Sequence, residues 1–266
     1  MRYLRLMGSL GRYSLNRELS FRGNFLAKIS VEVIWLGILL AFYRTVFART
    51  RMIADWPEAE YLFFVGTFFA LNGLIETLFL ENCDQFAELV RTGDLDFLLL
   101  RPIDEQFLIT CRKVDWSTAP NVLMGAAVMA FALVDMHWQF DLLRVAAFLA
   151  MFACGTLIAY SFMLILTSAS VWLVRNQSLM EMWWLFSSLA RYPKEIFRGA
   201  RWAEPVGAFF TFVLPILLVT NVPARVMVKA IDPGMVGYTL VATVVSVIAS
   251  RKFFQHALRS YRSASS

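Results

Sequence analysis

Four stretches of this chain run for 18 residues or more without an Asp, Glu, Lys or Arg: 116–134, 145–174, 205–224 and 233–250. A helix that crosses the hydrocarbon core of a bilayer needs about 20 mostly apolar residues. A soluble protein of 266 residues can bury one such helix, but four would leave no polar surface to solvate them. Two further segments, 25–47 and 61–80, are strongly apolar but carry internal charges. Composition agrees: 59% of residues are hydrophobic and 17% charged, against about 45–50% and 25% in soluble domains. The pattern predicts an all-α, polytopic membrane protein with six transmembrane helices, at about 25–47, 60–80, 116–134, 142–168 and 234–252, with one more within 175–224.

Charge then orients the spans. Residues 1–22 carry five arginines, with Leu4, Met7, Leu10 and Leu15 on the other side of a helical wheel. This reads as an amphipathic interfacial helix on the membrane surface rather than a signal peptide, because no apolar stretch and small-residue cleavage site follow the basic start. The arginines place the N-terminus in the cytoplasm. The loop 81–115, with Arg91, Arg101, Arg112 and Lys113, is then the largest cytoplasmic loop, and the basic end after residue 250 is cytoplasmic too. The net charge of +5 is explained by basic residues at span ends facing lipid headgroups, so nucleic acid is not an expected partner. Residues 1–260 form one transmembrane domain and 261–266 a disordered tail.

The stretch 175–224 admits two paths. In one, 178–204 is a cytoplasmic surface segment and 206–223 is the fifth span. In the other, 177–192 is a short fifth span and 193–224 an outer segment that dips back into the membrane, which is allowed where protein surrounds the backbone. Pro215 interrupts the apolar run in either case.

No GxxxxGK[ST] phosphate loop is present, so ATP hydrolysis is not expected of this chain. HExxH and GxSxG are also absent, and Cys83, Cys111, Cys154, His137 and His256 are too scattered for a metal or disulfide framework. Three polar residues within spans stand out: Glu32 in the first, Asn72 and Glu76 in the second, the last two on one helical face. An ionisable side chain costs about 2.5–3.5 kcal/mol at a helix centre. These residues either line a substrate path or a subunit contact, or reach the nearby interface by snorkelling.

The most informative polar segment is 91–104, RTGDLDFLLLRPID. Thr92-Gly93-Asp94 suits a turn and a helix start with acidic residues at its positive end. Leu95, Asp96, Phe97, Leu98 and the leucines after them form a short helix, which Arg101-Pro102 ends. Such a helix either docks in a groove of a partner protein or rests on the bilayer.

This segment resembles the cytoplasmic loop of type-2 ATP-binding-cassette (ABC-2 type) permeases, in the viologen and drug exporter branch. RYPKEIF (191–197) and FTFVLPILLVTNVPA (210–224) are similar to the same branch, and the resemblance covers 1–260. It implies an export permease of the bacterial inner membrane with both termini cytoplasmic. It implies a second permease subunit, identical or different, and a separate ATPase subunit that binds the ATP and magnesium, so this chain needs no cofactor. Gly93, Asp94, Leu95, Asp96, Phe97, Leu98 and Arg101 would be the coupling helix seated in the ATPase, and the family fold favours the outer re-entrant path. A membrane scaffold that recruits a cytoplasmic partner through 91–104 without transport is the other function these residues allow.

Overall fold

The computed structural model of the protein describes residues 2–173, 177–198 and 201–261. Of the tail expected over 261–266, residues 262–266 lie outside them. The described residues are almost entirely helical. The amphipathic start is helix α1 (Arg2–Ser20), and a break at Phe21 leads into α2 (Arg22–Phe47). A two-residue hairpin follows, with Met52 opposite Pro57 and Ile53 opposite Trp56. Its central residues Ala54 and Asp55 both have positive φ, as a tight hairpin turn requires.

Helix α3 (Glu58–Ile75) runs on through a π turn (Glu76–Leu80) into α4 (Glu81–Asp84) and α5 (Phe86–Thr92). Short helices α6 (Asp94–Leu99) and α7 (Glu105–Thr110) build the polar loop. Then come α8 (Ala119–Asp135) and α9 (Leu142–Ala169), the latter capped by the Asp141 carboxylate on the amides of Leu143 and Arg144. Helix α10 (Gln177–Leu189) leads to a 3-10 turn (Lys194–Phe197). Helix α11 (Ala203–Ala208) with its π turn (Phe209–Val213) meets α12 (Ile216–Val228) at an angle of 84°. Pro215 explains the bend: it lacks an N–H and pushes Leu214 out of helical geometry, to φ −110° and ψ 93°. Helix α13 (Pro233–Ser260) closes the described chain.

Four helical stretches are long and apolar enough to cross a bilayer on their own: Arg22–Phe47, Glu58–Thr92, Leu142–Ala169 and Pro233–Ser260. The bent pair Ala203–Val213 and Ile216–Val228 would make five if it were one span. Helices α8 and α10 are apolar but shorter, with 17 and 13 residues.

Backbones approach closely where glycine permits it. A Cβ on Gly125 of α8 would lie 2.4 Å from the Ala70 nitrogen of α3, and one on Gly73 would lie 2.7 Å from Asn121 Cβ. Small residues at such crossings let membrane helices pack by dispersion rather than by the hydrophobic effect. Gly155, halfway along α9, similarly admits the Val219 carbonyl of α12. Helix α2, in contrast, buries only Leu36, Tyr43 and Phe47.

Long-range contacts sort the connections into two ends. At one end, Trp56 of the hairpin meets Glu195, Lys229 pairs with Glu60, and the Trp138 indole and Arg144 donate to the Met227 carbonyl. At the other end, α1 docks on 114–116 through Gly11, Ser14 and Glu18, and Trp172 stacks against Phe253 and His256 of α13. The loop that carries α6 and α7 belongs to this second end.

Candidate functional site

Gly93 ends α5 in a left-handed conformation (φ 80°), which an L side chain adopts only with strain. The Thr92 hydroxyl donates to the Asp94 carboxylate at 2.9 Å, so the reversal leads directly into α6. The residues of α6 and Leu100, which caps its end, then divide by face. Leu95 (0% exposed) and Leu98 point inward; Leu95 joins Phe86, Ile109, Leu164 of α9 and Phe254 of α13 in a buried cluster. Phe97 (69% exposed) and Leu100 (82% exposed) point outward, flanked by the exposed Asp94 and Arg101. Two large apolar side chains left uncovered by the rest of the chain, among charges, form a surface that suits a partner's groove. Of the residues singled out in this loop, Leu95 and Leu98 therefore anchor the helix, while Phe97 is presented.

Asp104 follows. It caps α7 by accepting from the Phe107 amide at 3.0 Å, and it pairs with Arg251 of α13. The Arg251 hydrogen bonds hold its carboxyl below the usual carboxylate range.

The three polar residues read inside spans come together, with a fourth. Asn72 donates to Glu76 at 2.6 Å, as their spacing predicts. Asn121 of α8 donates to Glu32 at 3.0 Å and to Glu76 at 3.5 Å, bridging α2 and α3. Glu76 (8% exposed) opens the π turn, an irregularity frequent at functional sites. Asn121 (4% exposed) was missed by the sequence reading; a lone amide inside an otherwise apolar run was the available signal. Glu32 and Glu76 open onto a cavity of about 380 Å³ with Glu81, Asp84, Asp115 and Trp184 in its wall. Glu81 is balanced by Lys113 and Arg17, and Asp115 by Lys28. The cavity is rich in acceptors and lies at the end of the bundle that carries the loop. Among the described residues, no group of three or more His, Cys, Asp or Glu could hold a metal ion.

Further along the bundle, Arg191 lies over Trp35, midway along α2, and over Phe68 of α3, with its charge 5.8 and 5.5 Å from the ring centres. Ring faces stabilise a guanidinium removed from water. Beyond it, buried Glu195 accepts from the Trp56 indole at 3.1 Å and pairs with Arg225 of α12. RYPKEIF thus supplies one residue stacked in the bundle and one clasp at its far end.

The profile of the family described as ABC-2 family transporter protein matches residues 33–265, most of the chain. The chain belongs to the ABC-2 transporter family. It is accordingly a multi-pass membrane permease of an ATP-binding-cassette transporter, a type of subunit that works with an ATP-binding partner and has no ATPase site of its own. Comparison with curated proteins and with solved structures gave no match.

Proposed function

We propose that this chain is one of two permeases of an exporter, with six spans, both termini cytoplasmic, and α6 seated as a coupling helix in a separate ATPase. The observation that carries the reading is the exposure of Phe97 and Leu100 on a helix whose opposite face is locked into the bundle. A push on that face is transmitted rather than absorbed.

The six-span reading is supported by where the connections lie. The chain passes between the two ends through α2, α3, α8, α9, the stretch 177–198 and α13. Helix α10 spans only about 20 Å at 1.5 Å per residue, and residues 190–198 complete that passage. The 84° bend at Pro215 and the return of α12 to Lys229 beside Trp56 support an outer re-entrant segment. The α2 face bearing Val31, Ile34, Ile38 and Phe42 is apolar and uncovered, which suits a second permease or lipid. Substrate would enter at the acceptor-rich cavity beside Glu32 and Glu76, a hydrophobic or amphipathic compound meeting the aromatic bundle beyond it.

Purification of the tagged chain from its own membrane tests the reading. A second permease and an ATPase with a phosphate loop are expected to copurify. Burying one Phe side chain is worth about 1.5–3 kcal/mol, so Phe97→Ala should weaken ATPase retention about 10- to 100-fold while the permease still inserts. Undiminished retention in Phe97→Ala and in Leu100→Ala would remove α6 from the contact.

A further inference from the structure

Covalent connection ties the coupling loop to α3 and α8, its neighbours in sequence. The side chains tie it elsewhere. Arg251 of α13 grips Asp104 with both terminal nitrogens, and its Nη1 also donates to Gln106 at 2.8 Å. Gln106 donates in turn to the Tyr160 hydroxyl of α9 at 2.8 Å, and Thr110 shares that hydroxyl at 3.1 Å. The Asp104 amide also donates to the Tyr3 hydroxyl of α1, whose ring stands edge-on to Phe107. Helix α7 is thereby fastened to three helices distant in sequence, and Arg251 holds two of the residues involved.

The nature of these bonds matters. The apolar contacts of Leu95 and Phe254 resist separation but have no preferred direction, so the surfaces can slide. A two-pronged guanidinium–carboxylate pair has a set distance and plane. Arg251 is also the first charge after the apolar run 233–250, and both it and Asp104 are only about one-third exposed, so the pair is partly shielded from water. A cavity of about 300 Å³ lies alongside, bounded by Phe79, Leu157, Tyr160 and Arg251, which leaves the clasp room to move as a unit.

We infer that Arg251 is a positioning residue for transport: it converts displacement of the coupling loop into displacement of α13, and through Gln106 and Tyr160 into displacement of α9. Helix α9 packs on α12 at Gly155, so the movement reaches the bent outer segment. The loop thus drives the last helix rather than only the spans that flank it in sequence.

This rests on the exporter reading, and the test separates the two. Spin labels at Gln255→Cys and Leu123→Cys, both exposed, report the distance from α13 to α8 in the intact complex on a background free of other cysteines. Distances are compared without nucleotide and after trapping with ATP and vanadate. The native complex should show a nucleotide-dependent shift. In Arg251→Gln the ATPase should stay bound and hydrolyse ATP, but the shift should be lost. Asp104→Asn, which keeps the α7 cap, should lose it as well, and the double variant should be no worse than either single one. Arg251→Lys, retaining charge without the fork, should restore part of the shift. A full shift in both Arg251→Gln and Asp104→Asn would overturn the inference while leaving the exporter reading intact. A native complex that binds and turns over ATP with no shift would overturn the inference alone; one with no bound ATPase would overturn the exporter reading and the inference with it.

Discussion

Glu195 carries a charge in a place where water does not reach it, and two partners compensate. Trp56 donates to one carboxylate oxygen and Arg225 pairs with the other. Removing one member of a buried pair leaves the second unneutralised, at a cost of about 3–5 kcal/mol. Glu195→Gln keeps an acceptor for Trp56 but strands Arg225, so the purified protein should unfold at a clearly lower temperature. Adding Arg225→Met should recover part of that loss, because the stranded charge is gone; an unchanged unfolding temperature in Glu195→Gln would refute the clasp. None of this was legible in the sequence, where Glu195 is one letter of RYPKEIF and its indole partner lies 139 positions away. Asn72 and Glu76 were legible because helical spacing alone brings them together. Asn121 was not, because its meaning depends on which helix α8 packs against.

At the scale of elements, α3 and α8 depend on glycine for contact. Extra volume in a close-packed crossing costs about 1–3 kcal/mol and moves the backbone. Gly125→Ala sets a methyl where the Ala70 nitrogen already lies within 2.4 Å. The helices must part, and the Asn121 bridge to Glu76 and Glu32 should be lost with them. Less folded protein in the membrane and faster proteolysis are the expected readouts, whereas Gly8→Ala, with open space around its Cβ position, should change neither. The apolar runs announced most of these helices, and Pro215 announced the bend. The division of α6 was hidden. Leu95 and Leu98 lie three residues apart, as do Phe97 and Leu100, so the short helix and the residue that caps it offer two equally apolar faces. Only the cluster around Phe86 and Phe254 decides which face is inward.

For the whole molecule, the deciding question is which side of the membrane each connection occupies, and charge counting answers it poorly here. Arg49, Arg51, Lys194 and Arg198 would all be outside in the proposed arrangement, against the usual basic bias of cytoplasmic loops. Contacts argue more strongly than the count. The hairpin at Trp56 and the loop 91–104 lie at opposite ends of α3, a helix long and apolar enough to cross. Whatever touches the hairpin therefore shares its side, and Glu195, Arg225 and Lys229 touch it directly or through one another. Two basic residues at that end are paired: Lys229 with Glu60 and the Trp56 ring, and Arg225 with Glu195. A cysteine at exposed Arg198 should thus react with an impermeant thiol reagent on intact cells, and one at exposed Gln255 only after the cells are opened. Labelling of Arg198→Cys only in opened cells would place the clasp in the cytoplasm, and α3 could then no longer separate the hairpin from the loop 91–104.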